Sequence, residues 1–234
     1  MAGVSIIAHS NVRDVLRTLE NQQRQIPFAI SLAINKTAQS VKRAEYDEMR
    51  RVFDRPTPFT LNSLFMAPST KRKLEASVWL KGYADKGTAA TTYIGPQIWG
   101  GERKLKRAER LLRRGHLAPG GAAKVDAYGN LSRGPLQRAL AQVGVHFDPL
   151  TNATKVSRKR SKRRNASQFF VAEIGGTTAL WERKGRRISP YLVAVRTPHY
   201  RPRLAFQAVA GREQSAVFLR ELRSAVARAV ATAR

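Results

Sequence analysis

PFAISLAINKTAQSVKRAEYDEMRRVF, residues 27–53, is the stretch on which the fold turns. Apolar or small residues fall at Ile30, Ile34, Ala38, Val41, Ala44, Met49 and Val52. Steps of three and four, with a single five, keep one face of a helix out of water. Pro27 suits the first turn of such a helix, where its missing N–H has no partner to lose. At the far end Asp54-Arg-Pro-Thr-Pro58 stops it, because a proline disfavours helical geometry in the residue before it. The helix spans roughly 40 Å at about 1.5 Å per residue, so another element must lie along its apolar side.

Upstream, Ser10 or Asn11 caps a helix carrying Val12, Val15, Leu16 and Leu19 on one side. That helix reaches about Gln25 and is either continuous with the next, kinked at Pro27, or separate from it. Downstream, Thr60 caps a short turn through Leu61 and Leu64. Leu64–Pro68, Leu74–Lys81 and Thr91–Ile94 read as strands, the last punctuated by Gly95-Pro96. Glu102–Arg114, ERKLKRAERLLRR, reads as a very basic helix with a narrow stripe at Leu105, Ala108, Leu111 and Leu112. Gly115–Gly134 reads as glycine-rich loop, and Pro135 starts the short helix LQRALAQV. Residues 146–166 read as a loop with a polycationic centre. QFFVAEI and ALWERK, turning at Gly175-Gly176, form a hairpin, and Tyr191–Arg196 is a further strand. The last helix is Arg212–Ala233, with Phe218, Leu222, Ala225, Val226 and Ala229 on one face.

Strands joined by short turns between terminal helices give an α+β class. An antiparallel sheet is expected to pack against long N-terminal and C-terminal helices. A single domain over 1–234 is expected, with 82–166 as a basic, Gly-rich insertion or arm.

The 234 residues include 43 basic and 16 acidic side chains, a formal net charge of +27. Such a surplus repels itself and implies a polyanionic or acidic partner. The absence of cysteine removes disulfides and thiolate metal sites. The start shows no basic region leading into an apolar one, so no secretory signal is visible. Nowhere do the ~18 consecutive apolar residues of a membrane span occur. A soluble protein or subunit, without membrane contact, is expected.

No residue set reads as catalytic, cofactor-binding or metal-ligating, and no enzyme is expected. His9, His116, His146 and His199 are scattered and read as surface or loop residues. Glu45, Asp47 and Glu48 form the one acidic cluster; with Lys42, Arg43, Arg50 and Arg51 at helical spacing, they read as a solvated or intersubunit charged face. Gly115–Gly121 lacks the Lys-Ser/Thr of a phosphate-binding loop, and Gly129–Gly134 lacks the dinucleotide spacing.

The strongest chemical signal is Lys155-Val-Ser-Arg-Lys-Arg-Ser-Lys-Arg-Arg164, with seven cations in ten residues. Lys155, Arg158, Lys159, Arg160, Lys162, Arg163 and Arg164 can neutralise phosphates or face an acidic subunit. No aromatic is interleaved to stack on bases, so sequence is not read. Arg103, Lys104, Lys106, Arg107, Arg110, Arg113 and Arg114 of the basic helix are expected to add to this contact. Trp181, Tyr191 and Tyr200 read as core or interface aromatics.

The order of features resembles the minor tail protein Z, or tail-completion, family of tailed bacteriophages. The residues that carry the likeness are Ala33-Ile-Asn-Lys-Thr-Ala38, the arginine/lysine tract, Phe169-Phe-Val171, Trp181-Glu-Arg183, the strand Tyr191–Val195 and the proline-bracketed entry to the last helix. Phe53-Asp-Arg-Pro-Thr-Pro-Phe-Thr60 also looks like a segment of prophage neck and minor-tail proteins. The likeness covers roughly residues 25–60 and 167–210 and is diffuse between them. It implies a non-enzymatic structural subunit at the head–tail junction or tail top. Such a subunit assembles as a homo-oligomeric ring, six-fold or alternatively twelve-fold, that joins tail to head. Its partners are portal, neck or tail-tube proteins and the packaged DNA; its places are the virion and, during assembly, the host cytoplasm. The alternative is a free nucleic-acid-binding protein, not sequence-specific, acting through Lys155–Arg164.

Overall fold

A computed structural model describes residues 10–84, 87–146, 148–164 and 166–232, with the backbone alone over 10–24. The chain divides into two units: residues up to Thr91 together with those from Arg203 onward, and the intervening Thr92–Pro202. The class is α+β, with antiparallel sheets and long N- and C-terminal helices packed together.

In the first unit, α1 (Ser10–Val52) is one helix of 43 residues that runs through Pro27. Pro27 is therefore an interior proline: of the two alternatives, the helix continuous with the upstream segment is the one found, and no separate helix starts at Pro27. The lost hydrogen bond costs about 3 kcal/mol, which packing must offset. That packing comes at once: Ala29 and Ala33 are fully buried against Ala225 of α7 (Phe206–Thr232), with Leu222, Val226 and Ala229 around them. Alanines on both sides let two helix backbones approach closely. The helices are antiparallel: Lys36 meets Glu221 at 3.4 Å, Ser40 donates to Glu213 at 2.6 Å, and Arg203 stacks on Phe53. The buried stripe of α1 is Ala29, Ala33, Thr37, Val41, Glu45 and Met49, whereas Ile30, Ile34, Ala44 and Val52 are half-buried at its edge. Small residues, not the largest aliphatics, mark the contact line because α7 lies so near.

AINKTA has a physical reading here. Asn35 accepts from the Ser69 N–H at 2.6 Å and donates to the Ser69 carbonyl at 3.0 Å, acting as a substitute peptide group. Thr37 returns its hydroxyl to the Ala33 carbonyl, and Ala38 is buried. The Asn35 clamp fixes on α1 the hairpin of β1 (Leu64–Ala67) and β2 (Ser77–Leu80), paired Leu64 to Leu80. Leu64 and Leu80 point inward; Phe65 and Trp79 meet edge-on on the other face and stay about two-fifths exposed. Beyond α1, Arg55 adopts φ 45°, and Thr57, in place of Thr60, caps the four-residue α2 (Pro58–Leu61).

The helix α3 (Ala90–Trp99) spans the point of division. A strand was expected at Thr91–Ile94, but Ala90 and Ile94, four apart, are both buried, and the helix continues through Gly95 and Pro96. Its β-branched pair carries strand propensity that burial at helical spacing overrides.

The second unit is built on a four-stranded antiparallel sheet, ordered β4-β7-β6-β5. Its strands are β4 (His116–Pro119), β5 (Gln168–Ile174), β6 (Thr177–Lys184) and β7 (Arg187–Val195), with β3 (Gly101–Glu102) pairing β8 (His199–Tyr200) separately. Gly175 and Gly176, at φ 57° and 73°, make the two-residue β5–β6 turn that primed hairpins require. Gly120 is needed for a different reason: a Cβ there would lie 2.3 Å from the Pro190 carbonyl oxygen. One face carries α4 (Arg107–Leu112) and α5 (Arg133–Gln142), whose Leu112, Ala139 and Leu140 bury Leu180, Tyr191 and Leu192. Phe169 meets Tyr191 edge-on at 5.1 Å. Trp181 is buried too, and its indole N–H reaches the Ala172 carbonyl; Tyr200 is half-buried.

Three expectations change in this unit. The helix expected over Glu102–Arg114 shortens to six residues, because Glu102 belongs to β3 and Arg113 turns left-handed at φ 51°. The glycine-rich loop after Gly115 contains β4. The cationic tract is not loop: Lys155–Arg163 is α6. The stretch 82–166 falls mostly within this unit, which also takes in the hairpins that follow.

Candidate nucleic-acid interface

Thr154 caps α6, its hydroxyl accepting from the Ser157 N–H at 3.2 Å. Nine residues with seven like charges at its length and C-cap make a poor isolated helix, since cations four apart repel. Two things offset this. Arg160, Lys162 and Arg163 crowd the last turn, where the helix dipole favours positive charge. On the side left free of cations, Ser161 accepts from Gln168 at 3.1 Å, and Gln168 also donates to the Ala166 carbonyl. Gln142, at the end of α5, donates to the Ser167 carbonyl and accepts from the Phe169 N–H, so the β5 edge is held as if by another strand. The helix thus docks through Ser161.

At 3.6 residues per turn, Lys155, Arg158, Lys159, Lys162 and Arg163 cover an arc of roughly 140°, with Arg160 and Arg164 continuing it. All seven cations are exposed. Among the described residues none of them forms an ion pair. Val156, three-quarters exposed, is the one apolar side chain on this outer surface.

The second expected set is divided. Lys104, Lys106, Arg107, Arg110, Arg113 and Arg114 are exposed. Arg103 is not available to a partner. Its guanidinium forks onto Glu109, at 2.7 Å for one arm, and the two side chains are 14% and 3% exposed. Glu109 also accepts from the backbone N–H groups of Lys106 and Leu117. Burial alone would raise the Glu109 carboxyl, but the Arg103 fork and the two N–H donors bring it down to about 2. His116, buried in β4 beside this pair, reaches the Arg103 carbonyl, so its reading as a surface or loop residue is corrected; His146 lies in a loop, as expected, but is buried next to Asp148. His199 is exposed in β8, and His9 lies outside the described residues.

The acidic cluster divides as well. Asp47 is exposed and Glu48 is forked by Arg51 at 2.6 and 2.8 Å, as a charged face requires. Glu45 is fully buried between α1 and α7, and neither carboxyl oxygen makes a hydrogen bond among the described residues. Burial, then the Glu48 charge, push it up to about 8; the Ala210 N–H lies near enough to offset only a little. Its place on the buried stripe, four from both Val41 and Met49, was the available signal. Among the described residues no three His, Asp or Glu come together as a metal would need.

Sequence reasoning passed over a further basic group, Arg183, Lys184, Arg186 and Arg187, around the β6–β7 turn. All four are exposed, Arg183 lies over the Phe170 ring, and Gly185 at φ 62° makes the turn. Comparison with family models, curated proteins and solved structures finds no match to this chain.

Proposed function

We propose that this chain is a structural subunit of a tailed-bacteriophage virion, placed at the head–tail junction or the top of the tail. In this reading it self-associates into a ring joining tail to head, six-fold with twelve-fold as the alternative, and rests against the DNA end. The observation that carries the reading is α6, a helix docked through Ser161 so that seven exposed cations, none in an ion pair among the described residues, line its other sides. A net charge of +27 is repulsive in a free subunit and is neutralised where a polyanion passes close by. Partly exposed apolar side chains in the first unit, Phe28, Phe59, Phe65, Trp79 and Leu219, offer the surface that subunit contacts cover. Repetition of one head-to-tail contact closes such a ring. The resemblance of the short strings above to tail-completion proteins points to the same role.

Native mass spectrometry of the purified chain, with imaging of intact particles, tests the reading. A discrete ring mass and density at the particle neck are the expected results. A stable monomer with no particle association would overturn it. Deleting Lys155–Arg164 separates the rival: ring mass survives in a structural subunit, whereas a free nucleic-acid binder loses its whole activity.

A further inference from the structure

The β-sheet register brings two basic groups to one end of the second unit. Gln168, the first residue of β5, pairs with Arg183, and Lys184 pairs with Arg187 across the β6–β7 turn. Gln168 is also the residue that holds Ser161 of α6 at 3.1 Å. Strands lie ~4.8 Å apart, so the turn and the last turn of α6 sit within roughly 15 Å of each other. The whole of α6 with its C-cap and the turn together present eleven cations, seven of them arginines, all exposed. Among the described residues none of the eleven is in an ion pair. The carboxylates of the same strands are few: Glu182 is half-buried, and Glu173 is at the opposite end of β5, across from Thr178.

We propose that α6 and the β6–β7 turn form one surface for the phosphate backbone of duplex DNA, with Lys184, Arg186 and Arg187 as a second row of contacts beside the helix. The inference rests on the reading that this subunit meets DNA, and adds residues to it. Arginine forks match phosphate oxygens two at a time, and lysines add mobile point charges. The chemistry favours phosphates over bases, since the nearest aromatic face, Phe170, is already occupied by Arg183. It also favours DNA over an acidic protein. Protein interfaces are depleted of charge at their centre and need an apolar core, and Val156 on the helix with Ile188, across from Arg183 beside the turn, is too little to supply one.

The test uses the full chain in its purified assembly and a 30-base-pair duplex, with binding followed by fluorescence anisotropy between 50 and 200 mM salt. Each phosphate contact contributes about 0.9 to the slope of log affinity against log salt, so Lys184→Gln/Arg186→Gln/Arg187→Gln lowers the slope by up to ~2.7. Over that fourfold salt range the triple variant therefore loses up to ~40-fold less affinity than the parent. A second duplex of unrelated sequence gives the same change. Arg183 is left in place because it covers Phe170, and circular dichroism confirms that the substituted, exposed positions leave the fold intact. Arg158→Gln/Lys159→Gln/Lys162→Gln/Arg163→Gln gives its own decrease. If the helix variant loses slope and the turn variant does not, the composite surface is wrong while DNA contact by α6 stands. A parent chain without salt-dependent DNA binding overturns both. Loss of polyglutamate binding with DNA binding unchanged in the turn variant assigns the surface to an acidic protein and overturns the inference.

Discussion

Glu45 makes the stability of the first unit depend on pH in a direction opposite to that of most carboxylates. Replacing it by glutamine keeps the shape and removes the titration. The carboxyl is fully buried between α1 and α7, with its value moved from 4.5 up to about 8. The charged group acting on it is Glu48 on its own helix, itself held by Arg51 and facing Arg212 of α7; neither Glu45 oxygen is hydrogen-bonded among the described residues. The folded chain therefore holds a proton that the unfolded chain has released, at every pH between these values. The contribution of Glu45 to folding stability is greatest below 4.5, falls as pH rises and levels off above 8. At about 1.36 kcal/mol per unit, the fall between pH 5 and pH 8 is roughly 3 kcal/mol. For a chain of this size that is a drop of ~10 °C in melting temperature. Thermal and denaturant unfolding of the parent and Glu45→Gln, at half-unit steps from pH 5 to 8.5, measure the difference directly. The variant gains on the parent by ~3 kcal/mol over that range, whatever other groups do to both. Parallel curves, with a constant difference, would show that the carboxyl finds solvent or a partner.

The Arg103–Glu109 fork gives the opposite sign. Glu109 is held down at about 2, so its contribution is complete above 4.5 and drains away as pH falls toward 2. Arg103→Met leaves a buried carboxylate with only backbone donors, costs about 3 kcal/mol by urea unfolding at pH 7, and reduces the loss on acidification. Asn35→Ala removes both hydrogen bonds to the buried Ser69 backbone and costs about 2 kcal/mol. Amide exchange at Ser69 then speeds up relative to that at Leu64 and Leu80; unchanged exchange would refute the clamp.

What was legible in the sequence was what local chemistry decides. Gly175-Gly176 and the flanking alternation defined the β5–β6 hairpin, and the stripe on the last helix held for Ala225, Leu222, Val226 and Ala229. What was not legible depends on neighbours far along the chain. Seven like charges argue against a helix, yet Thr154 gives α6 a cap and Ser161 a docking contact. Arg103 looked like one more free cation because its partner, six residues on, lies at no helical spacing; the pair forms only across the β3–α4 bend. Glu45 sits among arginines and lysines in the sequence, which masked the one sign of its burial, its spacing of four from Val41 and Met49; α7 supplies the covering surface. Of RKGRR at 183–187, the sequence reading takes in only Arg183 and Lys184, as the end of a strand; strand register with the Gln168–Ser161 contact is what brings the group toward α6.

The second unit is one unbroken run of sequence, whereas the first is closed by the last thirty or so residues of the chain. On a ribosome, the inserted sheet can therefore finish folding while α1 still waits for α7. Lys36 emerges 185 residues before Glu221, the residue it pairs with (221 minus 36). At about 5–20 residues per second that is a delay of roughly 10–40 s. For that interval the alanine-lined groove of a long helix stands open beside identical nascent chains on the same message. Chaperone dependence, and exchange of the last helix between neighbours, are the hazards that this order of synthesis creates.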